Sequence, residues 1–301
     1  MYEAHFGLRH RPFRSTPDND CYYPATTHET ALARLRAALA DDEGMALLSG
    51  APGTGKTLLC HRLLEQLGPE YGSAFVTNSH CGSRSALLQA VLFDLNLPYE
   101  GRGEQELRLT LTDYLVQRFA AGQRTVLLVD EAQNLDSDLL EELRLLGNLE
   151  ARHGKAIQVI LAAQETMLET LRRRELAGFS QRLAARACLE PLPSEEAADY
   201  LVHQLRCAGA RPQDVITDEA LTILAQGSGG LPRLLNRAAH QALVLACQAS
   251  AAVVDAEAAL DALAQLGLEL PDDSAATVPE TLTPPTGETP RPSLKARRRP
   301  A

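Results

Sequence analysis

The sequence predicts an α/β fold: a parallel sheet covered by helices on both faces, then an all-helical segment and a tail without order. Three observations predict it. Gly50-Ala51-Pro52-Gly53-Thr54-Gly55-Lys56-Thr57 fits G-x-x-x-x-G-K-[ST] at every fixed position, between a short apolar run and an apolar-faced helical stretch. Thr125-Val126-Leu127-Leu128-Val129-Asp130-Glu131 is a continuous apolar run ending in two carboxylates, the pattern of a strand buried on both faces. Beyond Pro191 and Pro193, strand signals stop and Ala- and Leu-rich helical periodicity takes over.

Composition narrows the class. A chain of 301 residues holds one large or two smaller domains and buries a sizeable core. Its 45% hydrophobic and 23% charged residues are ordinary for a soluble globular protein. With no Trp and only 4% aromatics, Leu and Ala dominate the apolar set, so helix should outweigh strand. The net charge of −10 speaks against broad adhesion to nucleic acid, though a local basic face is still allowed. No apolar run approaches the ~20 residues that cross a bilayer. Met1-Tyr2-Glu3-Ala4-His5-Phe6 has neither a basic nor an apolar leader segment. The expected location is therefore the cytoplasm, free or peripheral at the inner membrane face. Cys21, Cys60, Cys81, Cys188, Cys207 and Cys247 are scattered without a C-x-x-C pair, so buried or half-buried thiols are expected rather than a zinc site.

Residues 1–27 carry Phe6-Gly7-Leu8, Arg11-Pro12-Phe13, Pro17 and Tyr22-Tyr23-Pro24, dense in aromatics for this chain. Such a segment is expected to pack on the nucleotide-binding domain, with Leu8, Pro12 and Phe13 either walling a base or simply packed. Residues 27–40 read as a helix with Ala31, Leu35 and Leu39 on its apolar face. The strand at 44–49 leads into the glycine-rich loop. Glycines there let backbone N–H groups turn onto a phosphate, and the following helix start adds unpaired N–H groups and its positive dipole end. Lys56 supplies a point charge for the β- and γ-phosphates, Thr57 a hydroxyl for Mg²⁺, and Leu58 continues the loop into the helix. A short strand at 73–77 ending at Asn78, and helices at 83–95 and 104–121, follow.

In the strand-end pair, Asp130 suits the Mg²⁺ shell and Glu131 suits polarising an attacking water. Such a pair is common by chance; downstream of a well-formed phosphate loop it points to nucleotide hydrolysis. Asp136, Ser137 or Asp138 can cap the next helix, whose Leu139, Leu143, Leu146 and Leu149 face the sheet. The strand at 156–163 ends at Gln164, placed either to read the γ-phosphate and orient water or merely to begin a helix. Arg172-Arg173-Arg174 reads as a solvated helix end. Arg182 and Arg186, just before a short strand at 187–190, suit either an arginine finger toward a neighbouring subunit or surface ion pairs. Helices are expected at about 194–208, 217–226, 231–248 and 255–266. Gly227-Ser228-Gly229-Gly230-Leu231-Pro232-Arg233 breaks the run and places Arg233 on a first helical turn, within swing of a phosphate. Past Leu270, seven of the 17 prolines and the basic Lys295–Arg299 cluster mark a stretch that buries too little to order itself.

Taken together, these motifs resemble an AAA+ ATPase, and more narrowly the ExeA (general secretion pathway protein A)-like group. The likeness covers about residues 1–268. It rests on the opening Phe6-Gly7-Leu8…Pro12-Phe13…Pro17, the loop, Val129-Asp130-Glu131-Ala132-Gln133-Asn134-Leu135, and Gln181-Arg182-Leu183-Ala184-Ala185-Arg186. The resemblance implies a P-loop NTPase three-layer sandwich with a five-stranded parallel sheet, the phosphate loop on the central strand, and a helical lid. It implies an arm at 1–27, a nucleotide-binding domain at 28–192, a lid at 193–268 and a disordered tail at 269–301. Lys56 and Thr57 match the Walker A pair, Asp130 and Glu131 the Walker B pair. Gln164 matches sensor 1, Arg233 sensor 2, and Arg182 or Arg186 the finger. Asn78 matches the polar residue that restrains the Walker B glutamate. The implied ligands are ATP and Mg²⁺, and the implied partners are further copies of the chain assembling with ATP and a protein of a secretion or assembly system. The founding secretion proteins continue into a transmembrane helix and a peptidoglycan-binding domain, which this sequence does not show, so the expectation is an ATPase core serving secretion, pilus or exopolysaccharide assembly. Two other readings compete: a DNA-associated ATPase of the transposition kind, disfavoured by the acidic balance, and a nucleotide-gated binding module with negligible turnover.

Overall fold

The computed structural model describes residues 2–270 except 15, 17, 18, 78–80, 152 and 153. Asn78, Pro17 and the tail from 271 onward lie outside the described residues. In chain order the elements are α1 (Tyr2–His5), α2 (Thr26–Ala40), β1 (Met45–Gly50), α3 (Lys56–Glu65), β2 (Tyr71–Val76), α4 (Arg84–Asp94) and α5 (Glu104–Ala120). Then come β3 (Arg124–Val129), α6 (Ser137–Gly147), β4 (Glu150–Ala151), β5 (Gly154–Lys155), β6 (Ile157–Ala163), α7 (Thr166–Thr170), α8 (Ala177–Ser180) and β7 (Ala185–Leu189). The last four helices are α9 (Ser194–Cys207), α10 (Asp218–Gly227), α11 (Pro232–Gln248) and α12 (Ala256–Gln265).

Five parallel strands form one sheet in the order β2-β3-β6-β1-β7. Alternation along each strand divides its side chains between two cores. Leu47, Leu127, Val129, Val159 and Leu161 face a cluster completed by α4, α5 and α6. Leu48, Val126, Leu128, Ile160 and Ala162 face the opposite cluster, with Leu35 of α2 and Leu59 and Leu63 of α3. This is the three-layer sandwich. The loop-bearing strand is not the central one, however: β1 lies between β6 and the edge strand β7, and β6 takes the middle. That placement matters, because β6 separates the loop strand from the carboxylate strand β3 and its end falls between their two functional groups.

The third cluster belongs to α9–α12, and it holds a correction. The N-terminal segment was expected on the nucleotide-binding domain, and its end does reach it, the Tyr22 hydroxyl donating to Glu29 of α2 at 2.8 Å and Asn19 to Glu65 of α3, yet Tyr2, Leu8 and Phe13 are buried among Leu201, Leu224, Leu235 and other residues of the helical segment. The Tyr2 hydroxyl pairs with His240 Nδ1 at 2.9 Å, and the Arg9 N–H donates to the Ala208 carbonyl at 2.9 Å. Short, dispersed aromatics find in the small-residue surfaces of these Ala-rich helices a place to bury that the sheet does not offer. Other differences are smaller. Arg186 lies within β7 rather than before it, the hairpin β4–β5 has no sequence signal, and Cys188 is exposed although buried or half-buried thiols were expected. Arg172–Arg174 are exposed on a turn after α7. No helix among the described residues is long and apolar enough to cross a membrane.

Candidate functional site

The loop after β1 is shaped by its glycines. Gly53 and Gly55 have φ of +86° and +97°, a region that L side chains rarely adopt, and a Cβ on Gly50 would stand 2.7 Å from the Leu189 carbonyl. The Thr54 hydroxyl closes the turn onto the Ala51 carbonyl at 2.9 Å. Lys56 opens α3 and is almost fully buried; its Nζ folds back onto the carbonyls of Gly50 and Ala51 at 2.9 and 3.0 Å. Burial pulls its ammonium below the ordinary lysine range, against the opposing pull of Glu131 and Asp130.

The carboxylate pair reaches the loop because β3 and β1 run parallel on either side of β6. The Thr57 hydroxyl donates to Asp130 Oδ2 at 2.6 Å, while Asp130 Oδ1 accepts the Glu131 N–H at 2.9 Å. Glu131 itself sits at φ 52°, ψ 36°, a left-handed conformation uncommon for a non-glycine residue and concentrated at functional sites. Its carboxylate accepts from Gln133 Nε2 at 2.5 Å and from Gln164 Nε2 at 3.4 Å. Gln133 Oε1 in turn accepts the Gln164 N–H at 3.0 Å. One glutamine thus ties the carboxylate to the end of β6.

A cavity of about 290 Å³ opens beside this constellation, lined by Gly53, Gly55, Lys56, Thr57, Glu131 and Gln164. Pro12, Tyr22, Tyr23, Leu192, Tyr200 and Gln204 also line it. Of the three arm residues read as a base wall, Pro12 lines the cavity, whereas Leu8 and Phe13 are in the helical core. Arg233 lines it from the first turn of α11, its N–H donating to the Gly53 carbonyl at 3.2 Å. Pro52 and Leu58 also line the cavity, and Ala51 supplies the carbonyl that Lys56 holds. Arg182 and Arg186 do not line it. Both are exposed, and Arg186 donates to the Ser180 hydroxyl at 2.9 Å.

The residues present fit a nucleotide with a small hard cation. Glycines at positive φ clear a cradle that side chains would fill. The oxygen pair of Thr57 and Asp130 suits Mg²⁺, which keeps phosphate oxygens and waters as its remaining ligands. Among the described residues no cluster of three or more His, Cys, Asp or Glu stands ready to hold a metal alone. Sequence reading gave no role to Gln133, Gln204, Asn236 or His28. Gln133 was visible only as a neighbour of the carboxylate pair. The others come from distant elements that only the fold brings together.

Residues 39–171 match the AAA domain family. The chain is 40% identical over 247 residues, 82% of its length, to General secretion pathway protein A of Aeromonas hydrophila. The chain belongs to the ExeA-like group of AAA+ proteins. It spans 45% of that relative's length. Solved structures agree on the fold. The Aeropyrum pernix ORC2 protein superposes with a TM-score of 0.66 at 16% identity, over 85% of this chain and 71% of that one. Cdc6p of Pyrobaculum aerophilum gives 0.63 at 20% identity, over 79% and 68%.

Proposed function

We propose that this AAA+ chain binds ATP with Mg²⁺, hydrolyses it, and assembles with further copies of itself when nucleotide binds. The observation that carries the proposal is the 2.6 Å contact between Thr57 and Asp130, which joins the phosphate loop to the strand-end carboxylates beside an open cavity. Lys56 leaves its two loop carbonyls for the β- and γ-phosphates, charge for charge. Thr57 and Asp130 hold Mg²⁺, which when bound neutralises charge developing on the phosphates. Glu131 accepts the proton of the attacking water, and Gln164 and Gln133 hold that carboxylate in line. Arg233 reaches the phosphates from the lid. Arg182 or Arg186, exposed and away from the chain's own cavity, completes a neighbour's site. If the restraint assigned to Asn78 holds, it acts on the same carboxylate.

The likeness to General secretion pathway protein A supports a role in assembling or remodelling part of an envelope secretion system, at the inner membrane face, through a protein partner. Hydrolysis of ATP with Mg²⁺, and a rise in particle size on adding both, are the expected results. Lys56→Ala abolishes binding, and Glu131→Gln keeps binding while turnover falls by about 10²–10⁴. A Glu131→Gln variant that turns over ATP normally refutes the role of that carboxylate.

A further inference from the structure

His28 touches neither the Thr57–Asp130 pair nor Glu131, yet the phosphate loop rests on it. Its side chain is 5% exposed, and Nε2 lies 2.8 Å from the Thr54 carbonyl. A carbonyl only accepts, so Nε2 carries the proton and the neutral tautomer is fixed. Nδ1 is cut off from solvent and has no hydrogen-bond partner among the described residues. A Cβ on Gly55 would stand 2.9 Å from His28 Nε2, so loop and imidazole are packed as one piece. The base of that piece is anchored too. The Thr26 N–H and hydroxyl both donate to Glu196 of α9 at 2.8 Å, and the Thr27 hydroxyl accepts the Glu190 N–H at 3.1 Å. The start of α2 is thereby tied to both the end of β7 and the lid.

In a trans peptide the carbonyl and the following N–H point in opposite directions. Holding the Thr54 carbonyl toward His28 therefore turns the Gly55 N–H the other way. We infer that His28 is a positioning residue for nucleotide binding, holding the Thr54–Gly55 peptide so that its N–H serves the phosphate, and doing so only as the neutral imidazole. This rests on reading the cavity as an ATP site. Protonation puts an N–H at Nδ1, which has no hydrogen-bond partner among the described residues. Burial holds the imidazole below the ordinary histidine range, against weaker opposing pulls from the Thr54 carbonyl on the loop, Glu196 on α9 and Glu29 on its own helix. The sign follows. The unfolded chain takes up this proton near pH 6.5 and the folded chain only at lower pH, so the stability that the neutral imidazole contributes is complete above about 6.5 and declines as pH falls below it, while in the folded chain the loop stays held until the imidazole itself is protonated.

The test titrates a fluorescent ATP analogue with Mg²⁺ into the full chain and its His28→Phe and His28→Gln variants from pH 7.5 to 5.5, with melting curves alongside. His28→Phe keeps ring volume without the donor, and about tenfold weaker binding at pH 7.5 is expected, the loss of one hydrogen bond. His28→Gln offers a side-chain N–H that does not titrate, and binding within about threefold of the parent is expected. Acidification to pH 5.5 should lower the melting temperature of the parent more than that of His28→Gln, whose melting profile carries every titration except that of His28. Superimposed parent and His28→Gln profiles, or unweakened binding by His28→Phe, overturn the inference. A parent chain that binds no ATP at pH 7.5 instead overturns the reading of the cavity.

Discussion

Gly53→Ala tests the joint between phosphate loop and lid. Gly53 has φ +86°, and an L side chain in the left-handed region costs about 1–2 kcal/mol. The new Cβ stands 2.8 Å from Arg233 Cβ, closer than real carbons come. Arg233 Cβ is fixed to the backbone of α11, so relief requires the helix start to retreat rather than a flexible tip to bend. Such overpacking costs about 1–3 kcal/mol. It also stretches the 3.2 Å bond from the Arg233 N–H to the Gly53 carbonyl. Gly101 is the control: its φ is +68°, and nothing lies within 4 Å of its Cβ position. Gly101→Ala therefore carries the conformational cost alone. The difference, about 1–3 kcal/mol, corresponds to roughly 2–12 °C in Tm at 2–4 °C per kcal/mol. Calorimetric melting of both variants without nucleotide measures it, and ATP titration should show weaker binding for Gly53→Ala only. Equal melting temperatures for the two variants refute a rigid joint at Arg233.

Arg108→Met should destabilise the chain by about 3 kcal/mol, because it strands Glu142, 1% exposed, whose carboxylate now accepts from Arg108 at 3.0 and 2.6 Å. Adding Glu142→Met should recover most of that loss in urea unfolding. Arg182→Ala should lower turnover by about 10³-fold at unchanged ATP affinity, with much less effect from Arg186→Ala, since Arg186 is already engaged by Ser180. Steady-state kinetics beside single-site titration separates the two. Changing Arg172, Arg173 and Arg174 together to Ser should leave ATP turnover intact, and a salt-sensitive affinity for duplex DNA that vanishes in this variant would revive the transposition-type reading.

The loop, both strand-end carboxylates and the order of strands along the chain were legible because their signals are local: fixed glycine spacing, a continuous apolar run, a sharp end in charge. The limits of most of the long helices were within a residue or two for the same reason, though the helix after the loop, read to 68, ends at Glu65, and Asp136 accepts the Leu139 N–H at 2.9 Å as a capping residue should. What depends on pairing was not legible. Nothing in the run Ile157–Ala163 says that β6 is the middle strand, so β1 was put there instead. The arm's aromatics announced that they would be buried, but periodicity does not say against what, and Tyr2, Leu8 and Phe13 went to the lid. His28 reads as one more residue on the face of an amphipathic helix. Only the approach of a loop about 26 positions away gives its Nε2 a partner.

The same pairing explains how nucleotide can act on the lid. The cavity is lined on the side of the sheet by the phosphate loop and the strand-end residues Glu131 and Gln164, and elsewhere by residues that include Tyr23, Ala25, Leu192 and Tyr200 of the cluster shared by the arm and α9–α12. Two links between the loop side and the helical segment are polar: Arg233 to Gly53 at 3.2 Å and Thr26 to Glu196 at 2.8 Å. Hydrogen bonds of this kind contribute about 0.5–1.5 kcal/mol each, somewhat more where a carboxylate accepts. Hinging the lid therefore costs a few kcal/mol, not the tens that opening a hydrophobic core demands. On the proposed reading, a triphosphate held between Arg233 and Lys56 would favour whichever lid position lets both reach it, by its differential affinity for the two. Because α2 is bonded to both sides, to Glu196 of α9 and to the Thr54 carbonyl, a movement of the lid would be passed on to the phosphate loop itself.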